Sequence, residues 1–145
     1  NDWAHVVLNY PEHKVVLHCS MLVAGGVARF TVHGDKASVV KARIDQQEAQ
    51  LLAGVIPGSE SWGEDSDAMV LFNAQGEASA IPAPKGDQRQ YYINVRDALN
   101  GKIDNPVHPV EALAVMAVLE AAVKSSETGT TQELDLTAQE RAQLQ

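Results

Sequence analysis

Apolar and polar residues follow a strand-like pattern over the first third of the chain and a helix-like one over the last third. Trp3 to Tyr10 and Val15 to Val23 are rich in β-branched and aromatic residues. Pro11-Glu12-His13 supplies a turn between them, which predicts a hairpin. Gly25-Gly26 reads as a tight turn into a third strand, Val27 to His33. Taken as a two-residue loop, it sets Ala24 opposite Val27, Met21 opposite Phe30, Ser20 opposite Thr31 and His18 opposite His33. Cys19, Met21, Val23, Ala28, Phe30 and Val32 then share one face. His18, Ser20, Leu22, Arg29, Thr31 and His33 share the other, a separation that a one-residue slip would mix. Gly34-Asp35 turns the chain into Ala37 to Arg43, where Val39 continues the apolar face beside Phe30.

Asp45-Gln46-Gln47-Glu48 carries the cap and third-position acid of a capping box, so a short helix through Leu51 and Leu52 should end at Gly54. Val55 to Asp67 is acidic and rich in Gly and Ser, a surface loop with Trp62 as its one large apolar residue. Ala68 to Asn73 and Ala78 to Pro82 form a second hairpin pattern across Gln75-Gly76, ended by Pro82 and Pro84. Asp87 opens a helix with Tyr91, Tyr92, Val95, Ala98 and Leu99 near helical spacing and Gly101 as its stop.

Pro109 to Gly129 is the strongest helix. Pro109 suits the first turn, Glu111 complements the dipole, and Gly129 suits a left-handed stop. Every residue from Ala112 to Leu119 is apolar, which predicts burial on more than one side. The run falls short of the ~20 apolar residues a membrane span needs. Glu133 to Leu136 alternates like a short edge strand, and the tail from Thr137 is helical or frayed. Strands first and helices later give an α+β fold: a mostly antiparallel (mixed) open sheet with helices packed on one face.

Composition narrows the function classes. The 145 residues suit a single domain. Net charge is −8 with no cluster of Lys or Arg, against both nucleic acid and an anionic membrane surface. A lone cysteine, Cys19, makes no internal disulfide and points to a reducing, cytoplasmic setting. Asn1 in place of methionine, with a strand beginning at Trp3, reads as a domain cut from a longer chain.

No dinucleotide fingerprint, P-loop, nucleophile elbow or zinc motif is present. His18 and His33 could ligate a metal only with a further ligand, and Cys19 points to the other face. Polar residues on a partly covered sheet face are the better account of the pair, and such a face suits a subunit interface. Tyr91 and Tyr92 fit a half-core position with the hydroxyl at its edge better than a ligand contact. Lys85 lies in a Pro/Gly loop where solvent exposure is the default.

The segment VHPVEALAVMAVLEAAVKSSETG, preceded by QYYINVRDALNGK, resembles the C-terminal end of the Gfo/Idh/MocA oxidoreductases, the glucose–fructose oxidoreductase and inositol dehydrogenase family. The likeness lies in the helix from Tyr92 to Gly101, in Ser125-Ser126-Glu127-Thr128-Gly129, and in FTVHGDKAS from Phe30 to Ser38. It extends over essentially the whole chain. The family's Gly-rich nucleotide loop, its E-K-P lysine and its D-x-G-x-H segment have no counterpart in these residues and would precede residue 1.

The resemblance implies residues 1–145 as one C-terminal substrate and oligomerisation domain of an NAD(P)-dependent oxidoreductase of sugar- or polyol-like alcohols. That domain would not be catalytic alone. NAD or NADP would sit in an N-terminal Rossmann domain outside this chain. It further implies a dimer or tetramer through the open sheet face, with His18, Ser20, Arg29, Thr31 and His33 at the interface. Gly25, Gly26, Lys85, Gln90 and Tyr91 would lie on the substrate side. The competing reading is a stand-alone small-molecule-binding or dimerisation module without enzymatic activity; a metal-dependent enzyme using His18 and His33 is a third.

Overall fold

The Pro11–His13 turn closes the first hairpin as its chemistry demands. In a computed structural model that describes residues 2–144, β1 (Trp3–Asn9) pairs antiparallel with β2 (Lys14–Ser20), and Tyr10 N–H donates to the His13 carbonyl at 3.0 Å. The described residues gather into two compact units. One holds the residues up to Met21 together with those from Asn94 onward; the other runs from Leu22 to Ile93.

In the first unit, β1 and β2 form a two-stranded sheet with Trp3 opposite Ser20 and His5 opposite His18. The unit also takes in the end of helix α2 (Arg89–Leu99), then α3 (Pro109–Thr128) and α4 (Ala138–Gln143). α3 has the expected bounds. The His108 N–H donates to the Glu111 carboxylate at 2.8 Å, and Gly129 caps the other end at φ 67°.

Burial of α3 on more than one side is not observed. Ala117 alone is buried, while Val115, Met116, Leu119 and Val123 are each more than half exposed. Ala114, Val118, Ala121, Ala122 and Ser125 are intermediate, and with Ala117 they recur at helical spacing. The helix thus turns a stripe of small residues inward and its larger apolar residues outward. Mean hydropathy cannot register that division, because both sides are apolar.

A second correction falls on Glu133–Leu136, which is not a strand. Arg141 donates from Nη2 to the Leu134 carbonyl at 2.5 Å and from Nε to the Leu136 carbonyl at 3.2 Å, bonds a strand ladder would otherwise use. The tail is helical: Thr137 Oγ1 accepts the Glu140 N–H and the Glu140 carboxylate accepts the Thr137 N–H, the reciprocal bonds of a capping box.

The second unit carries a four-stranded antiparallel sheet in the order β3 (Phe30–His33), β4 (Ser38–Lys41), β5 (Met69–Phe72), β6 (Ala78–Ile81). Val32, Val39, Leu71 and Ser79 lie in one cross-strand row. Val39 therefore shares the face of Phe30 and Val32, as its sequence position suggests.

The expected pairing of the second strand with the third is overturned. β2 pairs with β1, and β3 pairs with β4. The Gly26 N–H bonds to the Val23 carbonyl at 3.4 Å, so the turn is centred on Ala24-Gly25, one residue earlier than expected. Gly25, third residue of that turn, has φ +81°, the pattern of a type II turn. Such turns splay the flanking strands, whereas the hairpin types match their twist.

The short helix α1 (Gln47–Leu52) ends before Gly54 as expected, but without the capping box. Asp45 Oδ1 accepts the Gln47 N–H at 2.9 Å, an Asx turn set two residues apart.

Candidate functional site

The loop from Lys85 to Tyr91 gains its shape from α1, an element far from it in sequence. Gln47 is a buried polar residue of α1. Its Oε1 accepts the Gln88 N–H at 2.7 Å, and its Nε2 donates to Asp45 Oδ1 at 3.2 Å. One turn on, Gln50 Oε1 accepts the Gly63 N–H at 2.8 Å and Nε2 donates to the Ser61 carbonyl at 3.0 Å. The Gly63 carbonyl in turn accepts the Gly86 N–H at 2.9 Å. Two glutamines on one helix therefore hold both the Trp62 loop and the approach to α2. Trp62 itself is buried, as a lone large apolar residue in such a loop should be.

Asp87 organises the start of α2. Its carboxylate accepts from Arg89 Nε and Nη2, both at 2.8 Å, and from the Arg89 backbone N–H at 3.2 Å. The Arg89 guanidinium holds the Asp87 carboxyl well below the usual carboxylate range, and the same pairing raises Arg89. Gln90 Nε2 reaches the same carboxylate at 3.4 Å. Lys85 Nζ donates to the Glu60 carbonyl and borders a shallow depression shared with Glu64, Asp65, Ser66 and Ala83.

Lys41 forms the other charged cluster of this unit. Its Nζ lies 2.9 Å from Asp65 Oδ2 and 2.6 Å from Asp67 Oδ2, and the Arg43 N–H donates to Asp67 at 2.8 Å. Lys41 lowers both carboxyls, chiefly through these hydrogen bonds.

The structure thus gathers Lys85, Gln90 and Tyr91 along one loop and helix start, with Gly25 and Gly26 forming a separate turn. Tyr91 and Tyr92 are exposed and meet edge to face at 5.2 Å, so the half-core expectation for them fails. Of the residues expected on one polar strand face, His18 and Ser20 lie in the two-stranded sheet, while Thr31 and His33 lie in the four-stranded one. His18 therefore faces His5, and His33 Nδ1 lies 2.9 Å from Ser38 Oγ. Arg29 places its guanidinium 5.2 Å from the Phe30 ring centroid. Among the described residues, no three His, Cys, Asp or Glu side chains converge as a metal group.

Gln47, Gln50, Gly63 and Gly86 escaped sequence reasoning. The Asp45 turn flagged the start of α1, but nothing local to Gly63 or Gly86 signals that their backbones meet.

The chain is an antiparallel α+β domain in which Gln47, Gln50 and Asp87 are engaged in holding loops. The chain belongs to the Gfo/Idh/MocA family as its C-terminal alpha/beta domain: the model of that domain of the oxidoreductase family matches residues 1–134. It is 38% identical over 133 residues to an uncharacterized oxidoreductase, YdgJ, of Escherichia coli, covering 90% of this chain and 38% of that protein. It is 28% identical over 135 residues to the scyllo-inositol 2-dehydrogenase (NADP(+)) IolW of Bacillus subtilis, with the same coverage of each. A crystal structure of a Klebsiella pneumoniae protein named as an oxidoreductase superposes with a TM-score of 0.93 at 69% identity, over 99% of this chain and 41% of that one. The chain spans less than half the length of these relatives.

Proposed function

We propose that residues 1–145 form one C-terminal substrate-binding and oligomerisation domain of an NAD(P)-dependent oxidoreductase acting on sugar- or polyol-like alcohols. The observation that carries this is the family match over residues 1–134, joined to a relative named for an inositol and NADP(+). Exposed polar side chains at Lys85, Gln90 and Tyr91 suit a hydroxyl-rich substrate. Gly25 and Gly26 are assigned to the same side.

Gly25-Gly26 do not form a nucleotide-binding turn. Gly25-Gly26 follow a strand but lead to β3 and not to a helix, so no helix N-terminus receives a pyrophosphate there. NAD or NADP is therefore assigned to a Rossmann domain elsewhere in the parent chain. We assign a dimer or tetramer contact to the open face of the four-stranded sheet that carries the exposed Thr31 and His33, with exposed Arg29 just before β3; His18 and Ser20, expected on the same face, lie in the two-stranded sheet. The exposed free thiol of Cys19 suits a reducing cytoplasm.

The test is a nicotinamide absorbance assay of the full-length protein against a panel of inositols, aldoses and their ketones, with each cofactor. Turnover of one such pair is expected. A parent reading frame without a dinucleotide-binding sequence upstream of Asn1 would overturn the proposal.

A further inference from the structure

The Gly63–Gly86 backbone bond sets the residues after Trp62 beside those before Asp87. Both stretches line one depression of about 310 Å³, formed by Glu64, Asp65, Ser66, Ala83 and Lys85. That volume is at the small end of the ~300–1,000 Å³ range of ligand sites, suited to one sugar-sized molecule and not to a nucleotide.

The lining residues offer different chemistry. Ser66 both donates and accepts, the Glu64 and Asp65 carboxylates only accept, and Lys85 only donates. Two of them are held in place. Asp65 Oδ2 lies 2.9 Å from Lys41 Nζ and Asp65 Oδ1 accepts the Asp67 N–H at 2.9 Å, while Lys85 Nζ donates to the Glu60 carbonyl.

The charge balance is negative. Glu64, Asp65 and Asp67 outnumber Lys41 and Lys85, and Lys41 is taken up by the two aspartates. Arg89, further along the same loop, turns its guanidinium to Asp87. Tight capture of a carboxylate or phosphate uses a guanidinium fork or clustered cations, and here the anion would meet Glu64. Hydroxyl groups meet the opposite situation. They donate to the carboxylates in charge-assisted bonds and accept from Lys85, while Ala83 offers apolar surface to the carbon skeleton.

We propose that this depression is the part of the substrate site that the domain supplies, and that it selects uncharged polyhydroxy compounds against sugar acids and sugar phosphates. The inference rests on the oxidoreductase reading above and adds to it a charge selectivity set by Glu64.

Steady-state kinetics of the full-length protein test this on compounds that differ only in charge: glucose with glucuronate and glucose 6-phosphate, and myo-inositol with its monophosphate. The kcat/KM of each anion should be at least ~30-fold below that of its neutral counterpart, as like charges in contact require. Glu64→Gln should raise KM for the neutral substrate about fivefold with kcat nearly unchanged. Glu64→Lys should raise the anion-to-neutral ratio of kcat/KM at least ~tenfold. Glu77→Lys makes the same charge change at the β5–β6 turn, where Glu77 accepts from Asn73, and should leave that ratio unchanged. Absence of turnover with every compound and either cofactor would remove the oxidoreductase reading and this inference with it. Turnover that favours glucuronate or a phosphate, or a ratio that Glu64→Lys moves no more than Glu77→Lys does, would overturn the selectivity alone.

Discussion

Gly86 donates its N–H to the Gly63 carbonyl at 2.9 Å, and a Cβ on Gly63 would fall 1.8 Å from the Gly86 carbonyl oxygen. Gly63 also has φ +74°, so it excludes a side chain on two counts. Gly63→Ala should destabilise the fold by roughly 2–4 kcal/mol, about 1 from the left-handed backbone and the rest from displaced backbone. Gly76→Ala is the control: φ is +80° but its surroundings are open, and about 1 kcal/mol should be lost. Urea denaturation measures both, and equal losses would contradict the close approach.

Gln47→Leu removes the acceptor of the Gln88 N–H and leaves Asp45 with one donor fewer. The expected loss is about 1–3 kcal/mol, the usual effect of an unpaired buried polar group. Hydrogen exchange should localise the change, with the Gln88 amide exchanging faster than those of β4 and β5. Uniform acceleration would mean that Gln47 supports the whole unit and not this loop.

These two residues show where sequence reading reaches its limit. The Pro11–His13, Gly34-Asp35 and Gln75-Gly76 turns were legible because turn chemistry is local, and the pairings of β1 with β2, β3 with β4 and β5 with β6 followed from them, whereas the pairing of β4 with β5 came only from the fold. Gly101 and Gly129 marked helix ends for the same reason. The pairing of β2 was not legible, since moving a turn by one residue from Gly25-Gly26 to Ala24-Gly25 changes its type and frees the strand. Leu134 and Leu136 alternate as a strand would, yet Arg141 takes their carbonyls. The Gln47–Gln88 contact joins residues 41 apart, beyond any periodic signal. For the candidate site, the Lys85–Tyr91 stretch was picked out by resemblance, while the groups that hold it came only from the fold.

Acid should act through Lys41. Asp65 and Asp67 both sit below the ordinary aspartate value of 3.8, so they bind protons less readily folded than unfolded. Their contribution is complete above the unfolded value and is lost as pH falls through the lowered folded ones. Lys41→Met should therefore lower Tm by a few degrees at neutral pH and make the decline below pH ~4 shallower. Parallel Tm-against-pH curves for variant and parent would refute this.

Arg29→Glu replaces a guanidinium over Phe30 with a carboxylate, at an exposed position. Fold stability should change by less than about 0.5 kcal/mol, as for most surface substitutions. Self-association should weaken at least tenfold, since Arg29 sits immediately before β3 at the assigned subunit contact. Sedimentation velocity gives the answer, and an unchanged oligomer size would remove Arg29 from the interface.

The strand order of the four-stranded sheet leaves β3 and β6 as its two outer strands, and they are not alike. β6 runs directly into Pro82 and then Pro84, residues that cannot donate to an incoming strand. β3 contains Phe-Thr-Val-His, with no proline and no charged side chain to repel a newcomer. Misassembly of this domain is therefore directional. Growth by strand addition would start at β3 and stop at β6, so a lysine placed at Thr31 would protect the refolding chain more than any change on the proline side.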